Sequence, residues 1–103
     1  MMITELIKME LVDEVGDEHF ISIVDEMENS FHKACKGYID SEFFKASNGI
    51  WYMLMHWESR ADLKQASKAM MNSEKTLSFR ECLNPQKIEI SIYDQLKSWN
   101  LEN

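Results

Sequence analysis

The run Ile50-Trp51-Tyr52-Met53-Leu54-Met55-His56-Trp57 holds eight residues without a formal charge, which restricts it to a buried strand or a piece of buried helix. Its aromatic content, the Asn48-Gly49 turn signal before it and a helix start at Ser59 after it leave room for a strand and little more. Alternation then puts Trp51, Met53, Met55 and Trp57 on one face and Ile50, Tyr52, Leu54 and His56 on the other. Both faces are mostly apolar, so each must be covered by something.

The rest of the chain supplies one cover. Residues 3–12 alternate as a half-buried strand, with Ile3, Ile7, Met9 and Leu11 on one side and Thr4, Leu6, Lys8, Glu10 and Val12 on the other. Asp17 is placed to cap a long helix from Glu18, along which Phe20, Ile23, Val24, Met27, Phe31, Ala34 and Cys35 form an apolar stripe until Gly37 stops it. Residues 38–45 read as a second strand. A two-residue Asn48-Gly49 hairpin would set Ser47 opposite Ile50, Phe44 opposite Met53, Phe43 opposite Leu54 and Ser41 opposite His56. Ser59-Arg60-Ala61-Asp62 is a capping-box pattern opening a helix with Leu63, Ala66, Ala69 and Met70 on its inner side. A break at Asn72-Ser73-Glu74 precedes a short helix with Leu77, Phe79, Cys82 and Leu83, closed by Asn84-Pro85. Residues 87–93 are the last strand.

This order, β-α-β-β-α-β, is the α+β ferredoxin-like plan: a four-stranded antiparallel sheet with the helices on one face. The uncovered face would expose more apolar surface than a monomer tolerates, which predicts a homodimer with sheets stacked. At 103 residues the chain is expected to form a single domain over 1–103, with its core in 3–96 and a tail at 97–103. The formal charge of −7, with scattered lysines, speaks against nucleic acid as a partner. Without an apolar stretch of signal-peptide or membrane-spanning length, a cytoplasmic protein with no membrane contact is expected, its Cys35 and Cys82 reduced.

At Trp57-Glu58-Ser59-Arg60-Ala61-Asp62-Leu63, following an apolar strand and a hairpin, the chain resembles the antibiotic biosynthesis monooxygenase family of dimeric α+β barrels. The resemblance extends more weakly over Ile3 to Leu96, and the Asn84-Pro85 stop before the final strand is similar to an uncharacterised subgroup. It implies paired sheets, and pockets between sheet and helices in which some members oxygenate polycyclic aromatics without a cofactor and others degrade haem. Trp57 matches the tryptophan of the haem-degrading members. The asparagine they carry on the first strand and the histidine they carry on the second helix have no counterpart in Thr4–Val12 or Arg60–Leu83.

Candidate chemistry is sparse. His19, His32 and His56 have no metal-ligand spacing, so neither a metal nor a cofactor is expected. His56, on the apolar strand, is a candidate general base, or else a structural histidine bonded to Ser41 or to a partner subunit. Trp57 and Met55 with Met27 and Phe31 as a second wall and Met70 and Phe79 as a lid form either a packed core or a pocket for a flat aromatic ligand. By the expected hairpin register, Asp40 and Glu42 would share the Trp57 face and rim that pocket, unless they are merely solvated edge-strand acids. Two functions stay open: a cofactor-independent monooxygenase or related small-molecule enzyme, and a non-catalytic ligand-binding or structural dimer.

Overall fold

Strand β1 (Ile3–Met9), helix α1 (Asp17–Ser30), strands β2 (Tyr38–Lys45) and β3 (Trp51–Trp57), helices α2 (Arg60–Met70) and α3 (Leu77–Cys82) and strand β4 (Glu89–Asp94) follow one another along the chain. They come from a computed structural model that describes residues 2–100, so the last three residues of the expected 97–103 tail lie outside the described residues. The sheet has the order β2-β3-β1-β4 with every neighbouring pair antiparallel. Both central strands bury every second residue: Ile3, Glu5, Ile7 and Met9 on β1, and Trp51, Met53, Met55 and Trp57 on β3. These side chains meet Phe20, Val24 and Met27 of α1, Leu63 and Ala66 of α2, and Phe79 and Cys82 of α3 in one apolar core. The expected α+β ferredoxin-like plan is what forms. Its open face carries Thr4, Leu6 and Lys8 of β1 and Tyr52, Leu54 and His56 of β3, all half-buried.

Local chemistry sets the element ends. Ser59 Oγ accepts a hydrogen bond from the Asp62 amide at 3.1 Å, the expected cap of α2. The Asp62 carboxylate packs against Gly37, where a Cβ would come within 2.2 Å of Oδ2; with φ at +79°, that position requires glycine twice over. Thr76 locks the corner between α2 and α3, its hydroxyl donating to the Met70 carbonyl at 2.5 Å and accepting from Arg80 Nε at 3.2 Å. Three expectations need correcting. Helix α1 begins at Asp17 itself, after Gly16, with no side-chain cap, and it ends at Ser30, with a 3-10 turn over His32–Ala34 carrying the chain onward. The first strand stops at Met9, beyond which Leu11 makes one bridge to Leu83.

The third correction matters most for function. The β2–β3 hairpin closes around three residues, with the Ala46 amide on the Ile50 carbonyl (2.8 Å) and the Gly49 amide on the Ala46 carbonyl (2.9 Å). Within this loop only Gly49 has a positive φ, +89°, whereas a two-residue turn of the expected type needs one at Asn48 too. The extra loop residue shifts the pairing by one, to Phe43 with Met53, Glu42 with Leu54 and Asp40 with His56. A one-residue shift turns every side chain to the other face. Asp40 and Glu42 therefore lie on the open face with His56 and Leu54, not beside Trp57.

Candidate functional site

At the Ile3 end of the sheet the core changes character. Glu5 follows the alternation of β1 into the interior and is only 4% exposed. Its carboxylate accepts a hydrogen bond from Trp57 Nε1 at 3.0 Å. Burial pushes its pKa above the ordinary carboxylate value, against the smaller lowering effects of the indole N–H and of nearby His32. His32, 2% exposed, enters from the turn after α1, where its Nδ1 bonds to Glu28 one helical turn earlier. The other Glu28 oxygen accepts from Ser41 Oγ at 2.5 Å. Because that hydroxyl has one proton to give, the 2.5 Å contact from Tyr38 to Ser41 must have the Tyr38 O–H as donor. The Tyr38 ring stacks on the imidazole at 5.9 Å between centroids, and the Trp57 indole meets it edge-on at 6.1 Å.

Tyr38 reaches this side through an irregularity. Strict alternation from Asp40 would send it to the open face, but the pairing slips between Tyr38 and Asp40, so that Tyr38 lies opposite Trp57. The bulge turns the phenol inward, onto His32.

Beside this polar group is a hollow of about 260 Å³ bounded by Glu5, Ile7, His32, Met55, Trp57, Ala66, Ser67, Met70, Met71 and Ile90. Exposed Met71 and Ile90 stand at its mouth. A second hollow of about 320 Å³ adjoins it under α3, sharing Ile7, Met70, Met71 and Ile90 and adding Phe79, Arg80, Leu83, Pro85 and Ile88. An apolar cleft with a few converging polar groups has the usual make-up of a small-molecule site.

Of the residues expected to line a pocket, Trp57, Met55 and Met70 come together here. Phe79 lines only the adjoining hollow, while Met27 and Phe31 are core residues outside both. Of the two small residues on α2, Ala66 faces the hollow and Ala69 is exposed. His56 is on the opposite face, where its Nδ1 pairs with Asp40 at 2.6 Å. The titratable residues that do reach the hollow, Glu5 and His32, were not singled out as pocket residues by sequence reasoning. Their signals are the in-phase position of Glu5 between Ile3 and Ile7, and the four-residue spacing of Glu28 and His32.

No protein-family model matches the chain, and no curated protein sequence matches it. Solved structures do. SnoaB of Streptomyces nogalater, described as a cofactor-independent oxygenase, superposes with a TM-score of 0.71 at 10% identity, over 94% of this chain and 95% of its own. A Chloroflexus aurantiacus J-10-fl protein provisionally named an antibiotic biosynthesis monooxygenase gives 0.69 at 12% identity, over 99% and 100%. The chain has the antibiotic biosynthesis monooxygenase fold. A conserved protein of Methanosarcina mazei Go1 shares it at 21% identity, with a TM-score of 0.66 over 89% and 90%.

On this version of the fold the residues do not suit a haem. Among the described residues no lysine or arginine lines the hollow beside His32 and Trp57 to meet the propionates; Arg80 borders only the adjoining one. Among the described residues no cluster of three or more His, Cys, Asp or Glu side chains could hold a metal ion, and no helix is long and apolar enough to cross a membrane.

Proposed function

We propose that the chain is a small-molecule enzyme of the cofactor-independent monooxygenase type, acting on a flat, largely apolar aromatic compound in the hollow beside Trp57. One observation carries this reading: a buried carboxyl, Glu5, is held by the Trp57 indole at the wall of an otherwise apolar cleft. Methionine and tryptophan walls recognise a ring by shape, and a carboxyl whose pKa is raised by burial stays protonated further up the pH scale than an exposed acid. It can then donate to an oxygen substituent on the ring and orient it. Small volume favours a compact polycycle that extends under Phe79 into the adjoining hollow. The fold shared with SnoaB makes oxygenation the preferred reaction among those such a pocket could host.

The open face supports a homodimer as the working form. Phe44 and Tyr93 are exposed on it and Leu6, Tyr52 and Leu54 half-buried, so a second sheet stacked there would remove a contiguous apolar surface from water. Leu54→Asp should then turn a dimer into monomer or aggregate in sedimentation; a wild type that is monomeric at micromolar concentration would remove this part of the proposal.

The functional reading is tested with a polycyclic hydroquinone such as 1,4-dihydroxynaphthalene. Saturable quenching of tryptophan fluorescence and oxygen consumption above the buffer rate are expected, with binding weakened in Glu5→Gln. Quenching without oxygen uptake would favour a binding protein over an enzyme. Neither effect would leave a structural dimer.

A further inference from the structure

From the way Glu28 and His32 span the layer between the two sides of α1, we infer that they form a proton relay, His32 taking a proton from a ligand hydroxyl in the Trp57 hollow and Glu28 passing it to solvent. This rests on the reading of that hollow as a site for a hydroxylated aromatic, and it assigns the proton-accepting group that the reading lacks.

The geometry has three parts. First, His32 belongs to the wall of the hollow, and its Nδ1 is engaged by Glu28. An ionised Glu28 accepts and cannot donate, so the neutral imidazole carries its proton on Nδ1. The lone pair is thereby left on Nε2, which makes no hydrogen bond among the described residues; since every fully buried side-chain nitrogen and oxygen there has a partner, Nε2 is not sealed from solvent. Second, Glu28 is not sealed in: its side chain is 14% exposed and lines a separate open groove of about 320 Å³ with Asp25, Asn29, Lys33 and Glu42. One acid–imidazole pair thus touches the hollow at one end and solvent at the other. Third, Ser41 donates to the second Glu28 oxygen and is itself held by the Tyr38 hydroxyl, which keeps the carboxylate aimed at the imidazole.

In the step itself the O–H bond of the ligand breaks, its proton binds His32 Nε2, and the electron pair stays on the ligand oxygen. The resulting imidazolium donates its Nδ1 proton to Glu28, from which it leaves through the groove. No oxidation is involved in this step. The titratable neighbours of the imidazole are Glu28 on α1, Glu5 on β1 and Tyr38 on β2; Trp57 of β3 and Phe31 present aromatic faces, and α2 brings only Ala66, Ser67 and Met70 to the hollow. Burial disfavours the charged form of Glu5, so it opposes the ligand anion less than an ordinary carboxylate would. His32 is the catalytic residue and Glu28 a positioning and relay residue.

2-Naphthol is a suitable probe, since its anion absorbs at longer wavelength than the neutral phenol. Bound to the wild type, it should ionise at a pH at least one unit below that of the free probe. Glu28→Gln should still bind it, as read by tryptophan quenching, while losing most of that shift, and Glu28→Asp should restore part of it. Ionisation of the bound probe at its solution pH, or an unchanged shift in folded Glu28→Gln and His32→Gln, would overturn the relay. Where the probe does not bind at all, nitrogen-15 spectra of the His32 ring decide: the wild type should show the Nδ1-protonated form and Glu28→Gln should lose it, and identical spectra overturn the assignment. A probe that ionises as expected in a protein that consumes no oxygen keeps the relay and removes only the oxygenase.

Discussion

Strand β3 begins and ends with a tryptophan, Trp51 and Trp57, both buried and both on the helix side of the sheet. Their buried neighbours differ in polarity. Trp51 is packed chiefly by aromatic rings, with polar groups only toward the surface: Phe43 stacks on it at 5.0 Å, Phe20 meets it edge-on at 5.2 Å and itself stacks on Phe79, while Lys45 and an open surface groove border its outer side. Trp57 is surrounded by Glu5, His32 and Tyr38 and borders a hollow. Burial alone thus does not tell a core residue from a site residue; the hydrogen-bonding needs of the neighbours do. One end of the layer is built for stability and the other carries polar groups that a purely structural core would omit.

The largest effect should come from truncating the two indoles in turn. Trp51→Ala removes the centre of an interlocked aromatic cluster and is expected to cost about 5 kcal/mol in urea unfolding, against about 3 for Trp57→Ala, whose ring already lines empty space. Equal costs would abolish the distinction. Trp57→Phe is subtler: it keeps most of the ring but leaves the Glu5 carboxylate without its donor. A loss of about 1–3 kcal/mol is expected at neutral pH, shrinking once Glu5 is protonated. The same substitution logic at Trp51, to Phe, should show no such pH dependence.

Glu5 also gives a signature in the wild type. Its folded pKa is raised, so the native state holds the proton more tightly than the unfolded chain does. Its contribution is fully present below the ordinary carboxylate pKa and is lost as pH rises through the folded value. Glu5→Gln should remove that decline, making the variant less pH-sensitive than the wild type over this interval in chemical denaturation. The smallest effect is at the other end. Lys45 stands over the Trp51 ring at 5.1 Å, an exposed cation–π contact, and Lys45→Ala should cost only about 0.5–1 kcal/mol.

Element order, the helix-side face of β3 and the Ser59 cap were legible because each rests on a local pattern: alternation, a charge-free run, a capping motif. What was not legible depended on counting across a turn. Asn48-Gly49 marks a hairpin, yet whether its loop has two residues or three depends on whether Asn48 takes a positive φ. That choice alone decided the side on which Asp40 and Glu42 emerge. Glu5 escaped notice for a different reason. An acid in an apolar alternation looks like an interruption until its partner, the indole of Trp57, is placed across the sheet fifty-two positions away. His32 likewise sits just past the end of a helix, where periodicity no longer says which way a side chain points.

The bulge between Tyr38 and Asp40 works like a shift of reading frame. Upstream of it, odd and even positions exchange faces, and the slack is taken up by Ile39 at the surface. Drawing that residue into a regular ladder would turn Ile39 inward and send Tyr38 outward, stripping the stacked phenol from His32 and the donor from Ser41 in a single event, whereas deleting it would only straighten the strand and leave Tyr38 facing inward. The facing of Tyr38 relative to Asp40, more than side-chain identity at Ile39, is therefore what this segment must preserve. Two chains of this fold could agree at every residue around the hollow and still build different sites if one pairs through Ile39 in a regular ladder and the other slips past it.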